Sequence, residues 1–361
     1  VEAMKFQTGS PHLFLMNRRG SLAGIEKKAS TSTQTTDLPP ELHRILSRWL
    51  CAVIVIFAGC LASAAPALAQ RLPELRLTRL ADGVFVLRPA SSEVSPDNAG
   101  FVTHIGVLVD PRGLILVGTG TSQRFAQHLL AFVERELGKP VIAAVNLYGG
   151  GDHVLGNRVF VSRGVPVTAH IETDRFIRAS CHTCVERLTA ALGENMMSGT
   201  EPTPASVTFE HSGWLTGVTR RLKLLHYGHT FQPGATALLD EASGTLFAGE
   251  LAATHYLPDL YNANETGWVA ALDALIELGA RQVVPAHGAP GGREVLDAPR
   301  RYLQQLVERV DALFVGGATL EEALDQVELA EFRDWHGYAL WHRRNVHFAY
   351  LHRESRAFGP Q

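Results

Sequence analysis

Residues 145–160 read "VNLYGGGDHVLGNRVF". They close a longer apolar run, "PVIAAVNLY" at 140–148, which has strand length and suits a strand buried on both faces. The run breaks at Gly149-Gly150-Gly151, delivers Asp152 and His153, and passes into a helix-like stretch. Open α/β sheets put their sites just past such strand ends. The arrangement recurs: "LLHYG" leads into His229, "LFAG" into Glu250 and "VVPA" into His287. Four strand ends thus carry metal-capable side chains. One alone would be a solvated loop residue; four together form a constellation.

Between these ends the chain alternates strands and helices. "GVFVLRP", "HIGVLVD" and "GLILVGTG" read as strands separated by turn residues. "SQRFAQHLLAFVEREL" sets Phe125, Leu129, Phe132 and Val133 on one helical face. A short helix and the strand "VPVTAH" follow the Asp-His turn, then a polar helix over Ile171 to Leu192. The second half repeats the theme with "SVTFEH", "RRLKLLHY", the hairpin "TALLDEASGTLFAGE", the amphipathic helix "TGWVAALDALIELG" ended by Gly279, and "QVVPAHG". The order implies an α/β, four-layer αββα sandwich: two stacked sheets with helices outside. From Glu294 the spacing is all-helical; "TLEE" is a capping box with Thr319 as cap and Glu322 three residues on. We expect residues 70–293 to form the sandwich, with a helical insertion near 171–195, and residues 294–361 a helical extension packed on the core or on a second subunit.

With 361 residues the chain can bury a sizeable core. A formal net charge of −3 gives no reason to expect nucleic acid or an anionic membrane as partner. Residues 1–43 show no sustained apolar period and read as a disordered extension or a start placed too early. "RWLCAVIVIFAGCLASAAPALAQ" has Arg44 and Arg48 before a short apolar run and small residues at Ala67 and Ala69. Residues 44–69 are therefore expected to be a signal peptide cleaved near Ala69, making the protein periplasmic or secreted. A membrane anchor and lipidation at Cys60 are the alternatives.

Asp, Glu and His are ligands for zinc, iron or manganese. A metal with three protein ligands and one open position lowers the pKa of bound water to about 7, and a free carboxylate nearby can orient that water. The run from Asp82 to Gly288 resembles the metallo-β-lactamase fold superfamily. It is similar above all to periplasmic quinoprotein relay system zinc metallohydrolases, relatives of a sulfur-oxidation-cluster hydrolase. "DGVFVLRP", "DHVLGNRVF", "GHTFQPGAT", "LFAGE", "GWVAALDALIELGARQVVPAHG", "CHTC" and "HRRNVHFAYL" carry the likeness.

The resemblance implies a ligand motif H-x-H-x-D-H. Here its two leading His positions hold Tyr148 and Gly150, while Asp152 and His153 match. His229 matches the third His, His287 the last, and Glu250 replaces the bridging Asp. Glu reaches about 1.5 Å further than Asp. A supporting Asp of the family is Gly118 in "VGTG". One metal position is thus dismantled. The other keeps Asp152, His153, Glu250 and His287, with His226 and His255 as nearby substitutes. The triple glycine reads either as a widened pocket or anion nest, or as relaxed constraint.

Cys181 and Cys184 form a C-x-x-C, read as a local disulfide, with a redox pair as the alternative. No second cysteine pair follows residue 69, which excludes a Cys₄ zinc site. Two functions follow. The first is an exported metallohydrolase holding one zinc ion, with iron or manganese as alternatives and Asp152 as the catalytic carboxylate. Its metal-bound water would cleave an ester, thioester, lactone or amide-like bond, with a link to a periplasmic quinoprotein dehydrogenase system. The second is a non-catalytic module that binds a small molecule or a periplasmic partner protein. The substrate and oligomeric state are not legible in the sequence.

Overall fold

Twelve strands form two sheets in a computed structural model that describes residues 71–359. The expected N-terminal extension, the signal segment and Cys51 and Cys60 lie outside the described residues. The first sheet contains β1 (Leu77–Ala81), β2 (Val84–Leu87), β3 (Ile105–Asp110), β4 (Gly113–Val117), β5 (Val141–Asn146), β6 (Val167–His170) and β7 (Val207–Phe209), in that spatial order. Its first four strands are antiparallel and β4 to β7 run parallel. The second sheet contains β8 (Gly213–Trp214), β9 (Leu222–His226), β10 (Thr236–Asp240), β11 (Thr245–Ala253) and β12 (Gln282–His287), with β11 and β12 parallel.

Parallel neighbours need a crossover, and helices supply it. α1 (Gln123–Leu137) links β4 to β5. α2 (Gly151–Val154) and α3 (Asn157–Val161) link β5 to β6. α4 (Ile171–Leu192) and α5 (Glu194–Met197) link β6 to β7, and α6 (Glu265–Glu277) links β11 to β12. Then come α7 (Glu294–Val315), α8 (Leu320–Gln326) and α9 (Tyr338–Phe358). α1 shows why these segments are helical. Ser122 caps its start by accepting from the Phe125 N–H, and Gly138 ends it in the left-handed region. Its face of Phe125, Leu129 and Val133 is fully buried, worth about 1.5–3 kcal/mol per side chain.

Three apolar layers make the four-layer αββα sandwich. Val86, Leu108, Ile115 and Val145 of the first sheet meet Leu224, Leu238, Phe247 and Val284 of the second. The outer face of the first sheet is covered by α1 and α4. The outer face of the second packs on Trp268, Leu272 and Leu275 of α6, together with Tyr302, Leu306 and Val346 of α7 and α9. The capping box at Thr319 and Glu322 forms as the spacing predicts. One strand differs: "SVTFEH" was expected to open the second half, but β7 pairs in parallel with β6, matching Thr168 to Val207. It therefore ends the first sheet.

The turn before β9 is fastened across the sandwich. Asp110 Oδ2 accepts from the Thr219 and Arg220 N–H groups at 2.6 Å each. Arg220 donates to both carboxylate oxygens of Asp240 at 2.8 and 2.7 Å, and to the carbonyls of Val109 and Asp82. Asp110 and Asp240 are wholly buried. In both, burial acts against the charge, but the donors around the carboxylates win and hold their pKa values below the ordinary 3.8.

Candidate functional site

The ends of β5, β11 and β12 open onto a cleft of about 330 Å³. β5 runs into Tyr148, α2 begins with Asp152 in its first turn, β11 carries Glu250, and β12 ends at His287. Asp152, Glu250 and His287 all line this cleft, so three of the expected residues come together. Gln232 Nε2 is buried on its wall without a partner.

His153 does not join them. Its Nε2 lies 3.0 Å from the Leu147 N–H and accepts from it. The ring is stacked against Tyr148, with centroids 4.3 Å apart and planes 22° apart, and only 2% of the residue is exposed. Burial outweighs the nearby Asp152 charge and lowers its pKa to about 4, so the imidazole is neutral at neutral pH. With Nε2 accepting, the proton sits on Nδ1, which has no hydrogen-bond partner. The ring fills the space that a side chain at position 118 would need. A Cβ on Gly118, whose φ is +91°, would lie 2.8 Å from both Cε1 and Nδ1 of His153.

Tyr148 holds the centre. Its hydroxyl donates to Asp152 Oδ2 at 2.6 Å, and Thr103 Oγ1 donates to the same oxygen at 2.9 Å. Burial, reinforced by the Asp152 and Glu250 charges, raises the phenol pKa well above its ordinary value, so it stays a donor. The triple glycine does not adopt left-handed backbone, since none of the three has positive φ, and Gly150 lines the cleft. A Cβ on Gly150 would meet the Tyr148 ring and Asp152 Oδ1 at 2.6 Å, and one on Gly151 would meet Cys184 Cβ at 3.0 Å. These residues are small because neighbours press on them.

His229 is exposed, and its Nε2 is 2.6 Å from the Asn262 carbonyl. His226 stacks on His170 and bonds the Ala235 carbonyl, while His255 packs against Trp335. None of the three lines the cleft. His287 Nε2 is 3.1 Å from Glu250 Oε1. Burial opposes charge on this imidazole, but the Glu250 carboxylate overrides it and its pKa is raised. Tyr256 stacks on His287 at 4.2 Å and continues to His336 at 4.8 Å, with the Trp341 edge against it.

The four-ligand set of Asp152, His153, Glu250 and His287 expected from the sequence is therefore not assembled. Among the described residues no group of three or more His, Cys, Asp or Glu is placed to hold a metal ion. Asp152 is engaged by two hydroxyls, Glu250 by His287, and His153 by a backbone N–H. These residues do not fit a zinc ion. Cys181 and Cys184, expected from the sequence to form a disulfide, are buried with their sulfurs facing each other. Sequence reasoning missed Thr103, Arg187, Tyr256 and Trp341, which reach the site from segments without a motif of their own.

Solved structures share this architecture. A metallo-beta-lactamase from Pontibacter korlensis is 22% identical, with 64% of this chain and 99% of that one covered and a TM-score of 0.50. The metallo-beta-lactamase FIM-1 from Pseudomonas aeruginosa, in its mono-zinc form, is 18% identical over 65% and 97%, with a TM-score of 0.51. One from Hirschia baltica is 20% identical over 63% and 97%, with a TM-score of 0.50. The sequence profile of the Metallo-beta-lactamase superfamily matches residues 99–287, a span holding Tyr148, Asp152, Glu250 and His287 and more than half of the sequence. The chain belongs to the metallo-beta-lactamase superfamily.

Proposed function

We propose that this protein is a metal-independent member of its superfamily that binds a small polar organic molecule carrying a cationic group. The observation that carries the reading is the placement of His153 beneath Tyr148, where it serves the Leu147 N–H and not the cleft. Members of the superfamily are generally hydrolases and usually bind zinc. In this chain a phenol stands beside Asp152 where the resemblance calls for an imidazole.

The lining suggests the ligand class. Asp152, Glu250 and Asp259 face Arg187 and His287, so carboxylates outnumber the permanent cation. Tyr256, Tyr261 and Trp341 add aromatic faces, which attract organic cations. The unpaired Gln232 Nε2 calls for an acceptor on the same ligand. Export, expected from residues 44–69, belongs to this proposal, as does a partner in the periplasm.

Metal-assisted hydrolysis of an ester, thioester, lactone or amide-like bond is the competing reading. It requires the His153 ring to leave its place under Tyr148 and give up the Leu147 bond. Two measurements on the purified chain separate the readings. Metal analysis after dialysis against zinc should find well under one ion per chain. Thermal shift with a panel of organic amines and their neutral isosteres should show stabilisation by the amines alone, lost in Glu250→Gln. One zinc per chain with hydrolysis of an ester or lactone panel, both abolished by His287→Ala, would overturn the proposal.

A further inference from the structure

The C-x-x-C pair lies on α4, where residues three apart share a face and sit within bridging distance. Its surroundings are unusual for a structural pair. Cys184 lines a second cavity of about 350 Å³, which also takes in Arg187, Asp152, Glu250 and His287. This cavity adjoins the cleft described above through those shared residues. Cys181 sits behind it and is fully buried, its thiol directed at Cys184 Sγ at 2.7 Å and at the Gly149 carbonyl at 3.8 Å. One sulfur is thus on the cavity wall and the other is held in reserve.

We propose that Cys181 and Cys184 form a thiol–disulfide exchange site that takes low-molecular-weight disulfides, with Cys184 the attacking sulfur and Cys181 the resolving one. The Cys184 thiolate attacks one sulfur of the small disulfide, whose S–S bond breaks and releases one thiolate. The mixed disulfide on Cys184 is then attacked by the Cys181 thiolate. The protein disulfide forms and the second small thiolate leaves. The two protein thiols lose two electrons and two protons, and the small disulfide gains the electrons as two thiols. The hydrogen bond from Cys181, opposed by burial and aided by Arg187, lowers the Cys184 thiol pKa, which favours the nucleophilic thiolate.

The pair also touches the backbone that leads to the cleft. Gly149 accepts from Cys181, and Gly151 backs directly onto Cys184 Cβ, one residue before Asp152.

The test uses the whole folded chain, incubated with oxidised glutathione under native conditions and then alkylated and digested with trypsin. The peptide of residues 179–187 contains both cysteines and neither Cys51 nor Cys60. Most of it should lose two hydrogens, and dithiothreitol should restore both thiols. Cys181→Ser should trap glutathione on Cys184, Cys184→Ser should leave Cys181 unmodified, and Arg187→Met, read on its longer tryptic peptide 179–220, should slow the reaction several-fold. Thiols that react in the folded chain with iodoacetamide but not with glutathione would overturn the proposal. So would thiols that react only after denaturation, or a mixed disulfide trapped on Cys181. Metal content has no bearing on any of these outcomes, so the exchange site stands or falls separately from the ligand proposed for the cleft.

Discussion

Gly118→Ala tests the feature on which the proposed metal independence rests. At φ +91° the new Cβ meets two ring atoms of His153 at 2.8 Å, and that ring is buried with Tyr148 stacked on one face. A non-glycine residue in left-handed backbone costs about 1–2 kcal/mol. Forcing a methyl into a filled space costs about 1–3 kcal/mol more, so the substitution should remove roughly 2–5 kcal/mol of stability. The two parts separate in a double-mutant cycle. In a His153→Ala background the ring is gone and only the backbone part remains, which gives a coupling of about 1–3 kcal/mol. Urea unfolding followed by tryptophan fluorescence reads both as shifts in midpoint at constant slope. A Gly118→Ala protein within about 0.5 kcal/mol of the parent would refute the reasoning. So would a penalty undiminished by His153→Ala. In either case the imidazole would not lie under residue 118, and its place in a metal site would be open again.

Tyr148→Phe deletes the donor to Asp152 while leaving the stacked ring. It should cost about 1.5–3 kcal/mol for a hydrogen bond to a charged group, seen as a lower Tm by calorimetry, with the fold intact by circular dichroism. Arg220→Met leaves the fully buried Asp240 without its cation and should cost about 3–5 kcal/mol, measured by urea unfolding. The acid limb of stability follows from the same carboxylates. Asp110 and Asp240 have native pKa values below the ordinary 3.8. Their contribution is therefore complete above that value, fades as pH falls through it, and is gone below the lower native values. Tm measured from pH 7 downward should drop in that window, and Arg220→Met should flatten the drop.

The layers were legible because burial writes itself into composition. "PVIAAVNLY" and "QVVPAHG" are apolar throughout, since each is covered on both faces. α1 and α4 follow the expected spans closely. The strand β7 was misassigned because an edge strand of three residues carries no signal of which sheet it joins. The site was half legible for a different reason. Asp152 and His153 are consecutive in a helical turn, so their side chains diverge by about 100°: one faces the cleft and the next the core. Chain position told where the backbone goes, but ring orientation depended on Tyr148, Gly118 and the Leu147 N–H, which only the folded chain brings together. His229 failed likewise, its ring turned to the Asn262 carbonyl.

The aromatic stack beginning at His287 passes through Tyr256 to His336 and Trp341, both beyond residue 293. A truncated chain ending there would strip one wall from the cleft and expose more of an imidazole that is now buried. The terminal helices are thus a lid built into the polypeptide, and trimming them to obtain a minimal domain would discard part of the very surface such a fragment was meant to preserve.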